Sequence, residues 1–354
     1  MARRRLSVTI RHVAAEAGVS LQTVSRVINN EPNVRDAVIL RVKEAIEKLG
    51  YVPSIAAQRM AGSRSYLILA LNDRDRTIED WRSRQGTDWV DQMLLGGMLK
   101  CAEHGYRLII ELVDTHSDHV EREIMAVLAA VQPDGVILTP PHSDNPTITG
   151  LLARQGISFA RIGSFETGPG IALTMGDEGA ACDATERLIA LGHRRIGLIG
   201  GLHEYGLSAA RLAGWQSAMA AAGLEIEALF EQGDFSFASG ERAAETLLAL
   251  KDPPTAIIAS NDQMALAALE VARRRGFVVP DDLSLVSFDN TPVVRFTHPP
   301  LTAIDQPIAE TTSRAVEQII KTHGDKDVSD APIVVKAGWV ERGSTAPPPS
   351  SRSK

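Results

Sequence analysis

The first candidate site is a short segment whose polar side chains could read DNA bases. In residues 20–29, Val24 and Val27 recur at helical spacing and predict one buried helix face. Gln22 and Arg26 are four residues apart, so a helix places them side by side on the opposite face. In the major groove, glutamine can pair with adenine and arginine with guanine. The solvated face of a small helical bundle would show the same pattern, and that alternative stays open here.

A second candidate site consists of polar residues that follow short apolar runs. Asn72 and Asp73, Asn261 and Asp262, and Asp289 each come directly after such a run. Open α/β sheets bind ligands outside the carboxyl ends of their strands, so these residues could surround one cleft. Structural roles compete, because Asn261 and Asp262 could cap a helix and Asp289 could form an Asx-turn. Three further candidates have structural alternatives: Arg211 as a helix-surface charge, Phe235 as core, and Trp89 as packing at a helix start.

No catalytic motif accompanies these residues. The sequence has no GxGxxG or P-loop after a strand, no GxSxG and no HExxH. Cys101 and Cys182 are too far apart in sequence for a CxxC pair. His116 and His119 are interpreted as part of a solvated loop. We therefore expect no enzyme, no cofactor and no metal.

The charge of the 354-residue chain is unevenly divided. Residues 1–64 contain eleven lysines and arginines and five acidic residues, a net charge of +6. The whole chain has a net charge of −7, so the remainder carries −13. A small basic module joined to a large acidic body suggests a polyanion-binding head on a body with another task. Charge alone leaves DNA, RNA and anionic membranes as partners.

The basic head is predicted to contain three short helices and a fourth, conditional one within residues 51–62, which is too short to be stable alone and should fold only against a partner. Thr9 can cap a first helix that Gly18 ends, and Ser20 can cap the helix that carries Gln22 and Arg26. Two short helices joined by a glycine turn form the helix-turn-helix pattern. A third helix is predicted from about residue 36 to 49. Four hydroxyl side chains are short enough to contact phosphates: Thr9, Ser20, Thr23 and Ser25.

The acidic body alternates short apolar runs with helical stretches. Repeats of about 20 to 40 residues suit βαβ crossovers, which predicts two doubly wound parallel sheets. The loop between Asp73 and Asp88 is predicted to be long and polar. The predicted strands are 66–71, 106–113, 135–139, 158–162, 195–200, 256–260 and 283–288.

Three motifs together resemble the lactose-repressor (LacI) family: TIRHVAAEAGVSLQTVSRVINN (9–30), GYVP (50–53) and RMAG (59–62). The resemblance continues to about residue 342. It implies an all-α helix-turn-helix head on an α/β body with two periplasmic-binding-protein-like lobes. It also implies a homodimer that binds palindromic operator DNA, with hinge helices that form in the minor groove, and that responds to a small-molecule effector.

The resemblance assigns roles to individual residues of the head and hinge. Leu21, Gln22 and Arg26 match the family's base readers, and Ser20, Ser25 and Asn29 match backbone contacts. In the hinge, Ser54, Ala57 and Met60 match the minor-groove face. Met60 replaces the family's usual leucine, and an apolar, flexible side chain should still wedge between base steps.

The resemblance also implies an effector site. Arg211, Asn261 and Asp289 match positions that hydrogen-bond ligand hydroxyls, and Phe235 matches an aromatic that stacks on a sugar ring. Asp73 and Trp89 lie in first-lobe loops that complete such sites. This set of donors, acceptors and an aromatic face favours a sugar over a purine. With a sugar as effector, the family resemblance implies a repressor of carbohydrate-utilisation genes.

The expected organisation has a DNA-binding domain at 1–52, a hinge helix and linker at 53–65, and an effector-binding and dimerisation domain at 66–342. Lobe 1 is expected at about 66–175 and 306–330, and lobe 2 at about 176–305 and 331–342. The Pro/Ser-rich tail 343–354 is predicted to be disordered. It lacks the apolar heptads that build tetramers, so a dimer is predicted.

Export and membrane insertion are not expected. No run approaches the roughly 18 apolar residues of a membrane helix. A sugar receptor of the periplasmic type would share the two-lobe body, but it would need a cleavable export signal in place of residues 1–64. We therefore expect a cytoplasmic, nucleoid-associated bacterial protein with no membrane partner.

Overall fold

A computed structural model describes residues 8–28, 32, 34–51, 64–322 and 331–349. The chain forms two compact units, Met1–Tyr66 and Leu67–Lys354. Within the described ranges, no helix is both long enough and apolar enough to cross a bilayer.

The described part of the first unit contains three helices around a small apolar core. Helix α1 (Ile10–Ala17) ends at Gly18, whose left-handed φ of 63° turns the chain into α2 (Leu21–Ile28). Helix α3 (Asp36–Leu49) packs against both. The predicted helix-turn-helix is therefore confirmed. Its buried core consists of Val13, Ala14, Ala17, Val24, Val27, Val42, Ala45 and Tyr51.

The second unit contains twelve described strands. Five lie before residue 175: β1 (Leu67–Asp73), β2 (Arg107–Val113), β3 (Gly135–Leu138), β4 (Ser158–Ile162) and β5 (Ile171–Thr174). Seven follow: β6 (Ile196–Gly200), β7 (Phe230–Gln232), β8 (Ala256–Ala259), β9 (Ser284–Asp289), β10 (Thr302–Asp305), β11 (Ile333–Val334) and β12 (Gly338–Val340).

The helices of this unit alternate with the strands. The first four are α4 (Arg74–Ser83), α5 (Asp88–Glu103), α6 (Val120–Val131) and α7 (Pro146–Arg154). The others are α8 (Asp177–Ala190), α9 (Gly206–Ala221), α10 (Phe237–Leu248), α11 (Asp262–Arg274) and α12 (Ile308–Lys321).

The strands form two six-stranded sheets, one in each lobe. The first has the order β11-β5-β4-β3-β1-β2 and is parallel throughout. The second has the order β12-β10-β9-β8-β6-β7 and is parallel except for the antiparallel pair β10 and β12. Helices cover the sheets, so central strands such as β1 are almost entirely apolar and buried. The predicted two-lobe α/β body is confirmed.

Three segments join the two lobes. The chain passes from the first sheet to the second after β5, returns after β10 so that α12 packs on α5 and β4, and crosses again between β11 and β12. Helices α5 and α12 approach closely at Gly96, where a Cβ atom would lie 1.9 Å from the carbonyl oxygen of Ala309. Each lobe therefore has its own packed sheet, and the cleft between lobes is bounded by three connections.

The structure contradicts three of the sequence predictions, wholly or in part. The polar stretch after Asp73 was expected to be a loop but begins with the ten-residue helix α4, because the Asp73 carboxylate caps it by accepting from the Arg76 N–H at 2.9 Å. The segment 331–342 was assigned to lobe 2, but only its second part lies there: β11 pairs with β5 in the first sheet, whereas β12 pairs with β10 in the second. The tail was predicted to be disordered from residue 343, but its described part packs on the second lobe, where buried Ser344 donates to the Leu285 carbonyl at 2.6 Å and the Ala346 N–H donates to Ser284 Oγ at 3.0 Å.

Candidate functional site

The exposed face of α2 carries the side chains predicted to read bases. Leu21, Gln22 and Arg26 are exposed, whereas Val24 and Val27 are buried in the core of the first unit. The buried stripe therefore fixes which face of α2 points outward. A helix of this width fits the major groove, and this face presents one apolar, one amide and one guanidinium group.

Three of the four hydroxyl residues of the head, Thr9, Ser20 and Thr23, lie at the starts of α1 and α2. Ser20 Oγ accepts from the Thr23 N–H at 3.1 Å and lies 2.9 Å from Thr23 Oγ1. Thr9 is exposed at the start of α1, where its N–H donates to His12 Nδ1 at 3.1 Å. Ser25 is half-buried on α2. The other predicted DNA contacts lie outside the described residues: Asn29, Ser54, Ala57 and Met60.

A cavity between the two lobes brings the predicted effector residues together. Counted out to its open mouth, it encloses about 860 Å³ of empty space, part of which is open solvent. The carboxyl ends of β1, β8 and β9 reach it, which is where open parallel sheets bind ligands. All six predicted residues line this cavity: Asp73, Trp89, Arg211, Phe235, Asn261 and Asp289. Their binding roles remain predictions.

Arg211 is a buried structural charge of the cavity wall. It projects from α9, is 2% exposed, and pairs with Asp177 at 2.8 Å. Its guanidinium also donates to the Ser260 carbonyl and lies 4.2 Å from the ring centre of Phe288. Gln306 donates to the same Asp177 oxygen at 2.8 Å. The helix-surface alternative for Arg211 is therefore wrong.

Asn261 performs the capping role that the sequence left open. Its Oδ1 accepts from the Met264 N–H at 2.9 Å at the start of α11. Its Nδ2 donates to the Phe235 carbonyl at 2.8 Å and so holds the loop before α10. Phe235 has a left-handed φ of 68°, and its ring packs against Gly201, where a Cβ atom would lie 2.0 Å from the ring. Glycine at residue 201 is needed for this close approach.

Two aspartates of the second lobe have strongly perturbed pKa values. Asp289 ends β9 with a left-handed φ of 89°, and burial raises its pKa to about 7. Asp262 accepts from the Thr291 N–H at 2.6 Å, and burial raises its pKa to about 6. In both cases neighbouring carboxylates oppose ionisation as well. Perturbed carboxylates in a cleft are typical of a binding site.

Helix α4 contributes to the cavity in a way that the local sequence pattern did not predict. Arg76 bonds Asp80 of the same helix at 3.2 Å and donates to the Asp234 carbonyl in the second lobe at 2.5 Å. Burial raises the pKa of Asp80 to about 6 although Arg76 lowers it. Thr77 and Tyr205 also line the cavity. The i,i+4 spacing of Arg76 and Asp80 was the available signal that this stretch is helical.

The raised pKa of Asp289 predicts a pH-dependent stability. Between its ordinary value of 3.8 and about 7, the folded protein holds a proton that the unfolded chain has released. This carboxyl therefore stabilises the fold progressively less as pH rises from 3.8 to about 7, and no further loss occurs above that pH. Asp289→Asn, which tolerates the left-handed φ, is expected to raise the Tm by several degrees at about pH 8 and by much less at about pH 5.

Differential scanning fluorimetry of the ligand-free protein checks this expectation. The matched control is Asp281→Asn, an exposed aspartate of the same lobe that should shift the Tm little at either pH. An equal Tm shift for Asp289→Asn at both pH values would show that its carboxyl is not protonated in the folded protein.

The fold and its cavity define a class of protein, the DNA-binding regulators that carry a two-lobed ligand-sensing body. Residues 9–54 match the family model for bacterial regulatory proteins of the lacI family, and residues 185–345 match a periplasmic binding protein-like domain. The chain belongs to the lacI family and is a DNA-binding transcriptional regulator. The predicted resemblance is confirmed.

Individual relatives are similar over nearly the whole chain. The HTH-type transcriptional regulator CelR of Thermobifida fusca is 34% identical over 311 residues, which cover 86% of this chain and 88% of that protein. The HTH-type transcriptional repressor CytR of Escherichia coli K12 is 30% identical over 347 residues, 97% of this chain and 98% of that one.

Two solved structures are similar in fold. A CelR–cellobiose complex has a TM-score of 0.71 at 29% identity and covers 95% of this chain and 99% of its own. The Lac repressor dimer bound to operator and the anti-inducer ONPF has a TM-score of 0.75 at 26% identity, with 96% and 99% covered.

Proposed function

We propose that this regulator represses carbohydrate-utilisation genes by binding palindromic operator DNA as a homodimer, and that a sugar in the interlobe cavity controls the binding. The observation that carries the DNA-binding part is the exposed face of α2, where Gln22 and Arg26 stand beside Leu21 over a buried apolar stripe. Residues 1–52 would read the operator, and residues 53–65 would form the hinge.

An exposed apolar face on α5 supports the homodimer. Leu95, Met98 and Leu99 are 49%, 57% and 59% exposed and lie on one face at i, i+3 and i+4 spacing. The other side of α5 packs on α12 through Gly96. A cluster of large exposed apolar side chains is typical of an interface. A similar fold occurs as a dimer on operator DNA in the Lac repressor.

The composition of the cavity supports a sugar as the effector. Aromatic side chains of Trp89, Tyr205 and Phe235 offer apolar faces, and carboxylates such as Asp289 accept hydrogen bonds from hydroxyls. The similar CelR structure contains cellobiose. An effector that prefers one arrangement of the lobes would change operator affinity, and operator would change effector affinity by the same factor. We further propose that the protein acts in the cytoplasm at the nucleoid and catalyses no reaction.

The test is base selection from a random DNA library, compared between the wild type and Arg26→Ala. The wild type is expected to select a palindrome. Arg26→Ala should lose preference at one base pair in each half-site, at a cost of about 1–3 kcal/mol. Lys43→Ala, which removes the same charge from the exposed surface of α3, should leave the selected bases unchanged. A wild type that selects no sequence at moderate salt would overturn the proposal.

A further inference from the structure

One side chain of the cavity wall, Arg76, joins the two lobes. It projects from α4 of the first lobe, and its Nη1 donates to the Asp234 carbonyl of the second lobe at 2.5 Å. Its Nε donates to the Asp80 carboxylate of the same helix at 3.2 Å. A guanidinium carries five N–H donors in one rigid plane, so it can bond both groups at once. We call this side chain and its two bonds the Arg76 bridge.

The first-lobe end of the Arg76 bridge is held by α4 and its neighbours. The Asp73 carboxylate caps α4 at the Arg76 N–H and also accepts from Thr115 Oγ1 at 3.1 Å. The Arg76 and Asp80 side chains are 23% and 16% exposed. Gly86 follows α4 with a left-handed φ of 71°, and a Cβ atom there would lie 3.3 Å from Asp80 Oδ1. The first lobe by itself therefore orients the guanidinium.

The second-lobe end of the Arg76 bridge is also fixed. Asp234 donates its N–H to Ser239 Oγ at 3.0 Å, and its carboxylate accepts from the Ser236 N–H at 2.8 Å. The next carbonyl, that of Phe235, accepts from Asn261 Nδ2 at 2.8 Å. These bonds hold the backbone next to Phe235, which lines the cavity. The Asp234 carbonyl therefore has a fixed direction and is a rigid acceptor.

Another polar contact between the lobes is weaker than the Arg76 bridge. His116 Nε2 lies 2.8 Å from a carboxylate oxygen of Glu204, but the two side chains are 66% and 43% exposed. Water screens exposed pairs, so they contribute little. The Arg76 bridge is less exposed, and its charged donor strengthens both of its hydrogen bonds. It is therefore the stronger of these two polar links between the lobes.

We propose that Arg76 is a positioning residue that holds the two lobes closed over the cavity, so that an effector enters or leaves when the Arg76–Asp234 bond breaks. This inference rests on the proposed function, because it specifies how access to the same cavity is regulated. Removing the side chain removes a bond that only the closed arrangement of the lobes makes, so the open population rises. A hydrogen bond to a charged group changes such an equilibrium by about tenfold or more.

The test measures how often the cavity opens in the full-length protein without effector or DNA. The reporter is Thr139→Cys, at a cavity residue that is 2% exposed. Adding Arg76→Met is expected to raise the rate at which this thiol reacts with iodoacetamide by about tenfold or more. Peptide mass spectrometry distinguishes it from Cys101 and Cys182. Cys101 is 1% exposed on α5 and reports unfolding of the first lobe in the same sample, so its reaction rate should not change.

Two control variants in the reporter protein isolate the contact between the lobes. Asp80→Asn breaks the ion pair within α4 but leaves the bond to the Asp234 carbonyl, so it should change the reaction rate far less than Arg76→Met does. Arg82→Met removes an exposed charge from the same helix and should leave the rate unchanged. If Thr139→Cys does not fold, the reporter is Thr77→Cys, at a cavity residue that is 4% exposed.

Three outcomes overturn the inference and leave a sugar-controlled regulator in place. The first is a reaction rate that Arg76→Met does not change. The second is an equal acceleration at residue 139 and at Cys101, which would show loss of stability instead of opening of the cleft. The third is an equal acceleration by Asp80→Asn, which would place the effect within α4. Conversely, a protein that selects no operator but reacts faster with Arg76→Met would lose its proposed function and keep the Arg76 bridge.

Discussion

Arg211→Met is expected to lower the free energy of unfolding by about 3–5 kcal/mol and to abolish the effector response. The guanidinium pairs with Asp177 at a site where both side chains are at most 3% exposed. Removing it leaves the Asp177 carboxylate buried beside Gln306 without a counter-charge. Urea denaturation measures the stability, and operator binding with and without effector measures the response.

A second variant distinguishes the destabilisation caused by an unpaired buried charge from the destabilisation caused by lost packing. Arg211→Met combined with Asp177→Asn removes both charges and should recover part of the stability without restoring the response. Arg242→Met is the control, because the Arg242 side chain is 71% exposed and its 3.9 Å pair with Asp234 should contribute at most about 1 kcal/mol. If Arg211→Met and Arg242→Met lower the free energy of unfolding equally, the Arg211–Asp177 pair does not contribute significantly to the stability of the fold.

Leu99→Glu is expected to separate the homodimer and to lower operator affinity by about 100-fold or more. Leu99 is 59% exposed on the apolar face of α5, and a carboxylate there would be buried without a partner in the dimer. Two linked heads gain affinity because the second binding event is intramolecular, and a single head loses that gain. Analytical ultracentrifugation measures the mass, and fluorescence anisotropy measures operator binding.

Leu191→Glu is the matched control for the dimer interface. Leu191 is 39% exposed at the end of α8, so it receives the same substitution away from the α5 face. It should remain dimeric and bind operator normally. A dimeric Leu99→Glu protein with unchanged operator affinity would place the interface elsewhere.

The helix α4 shows where local sequence signals were insufficient. Six of its ten residues are charged, and its apolar positions are too few to predict a buried face. Its position depends on Asp73 as cap and on Arg76, which reaches Asp234 at a sequence separation of 158 residues. Contacts between residues so far apart in sequence depend on how the two lobes pack, and the local periodicity of apolar residues does not reveal them.

The role of Asn261 shows a different limit. Its position before a helix and its match to a family binding site were both visible in the sequence, and they predicted different roles. The structure assigns its Oδ1 to the cap of α11 and its Nδ2 to the Phe235 carbonyl. The geometry of donors and acceptors decides between the capping role and the ligand-binding role, and only the folded structure fixes that geometry.

The sequence by itself determined the helix-turn-helix, the repeating βαβ units and six of the residues that line the cavity. Periodicity reports which face of an element is buried, and the ends of parallel strands place their polar residues at one edge. The tertiary structure alone decided that Arg211 pairs with Asp177, that α4 closes on the cavity, and that Asp88, Asp262 and Asp289 share one wall. Those features depend on distances between residues far apart in the chain, and such distances exist only once the lobes have packed.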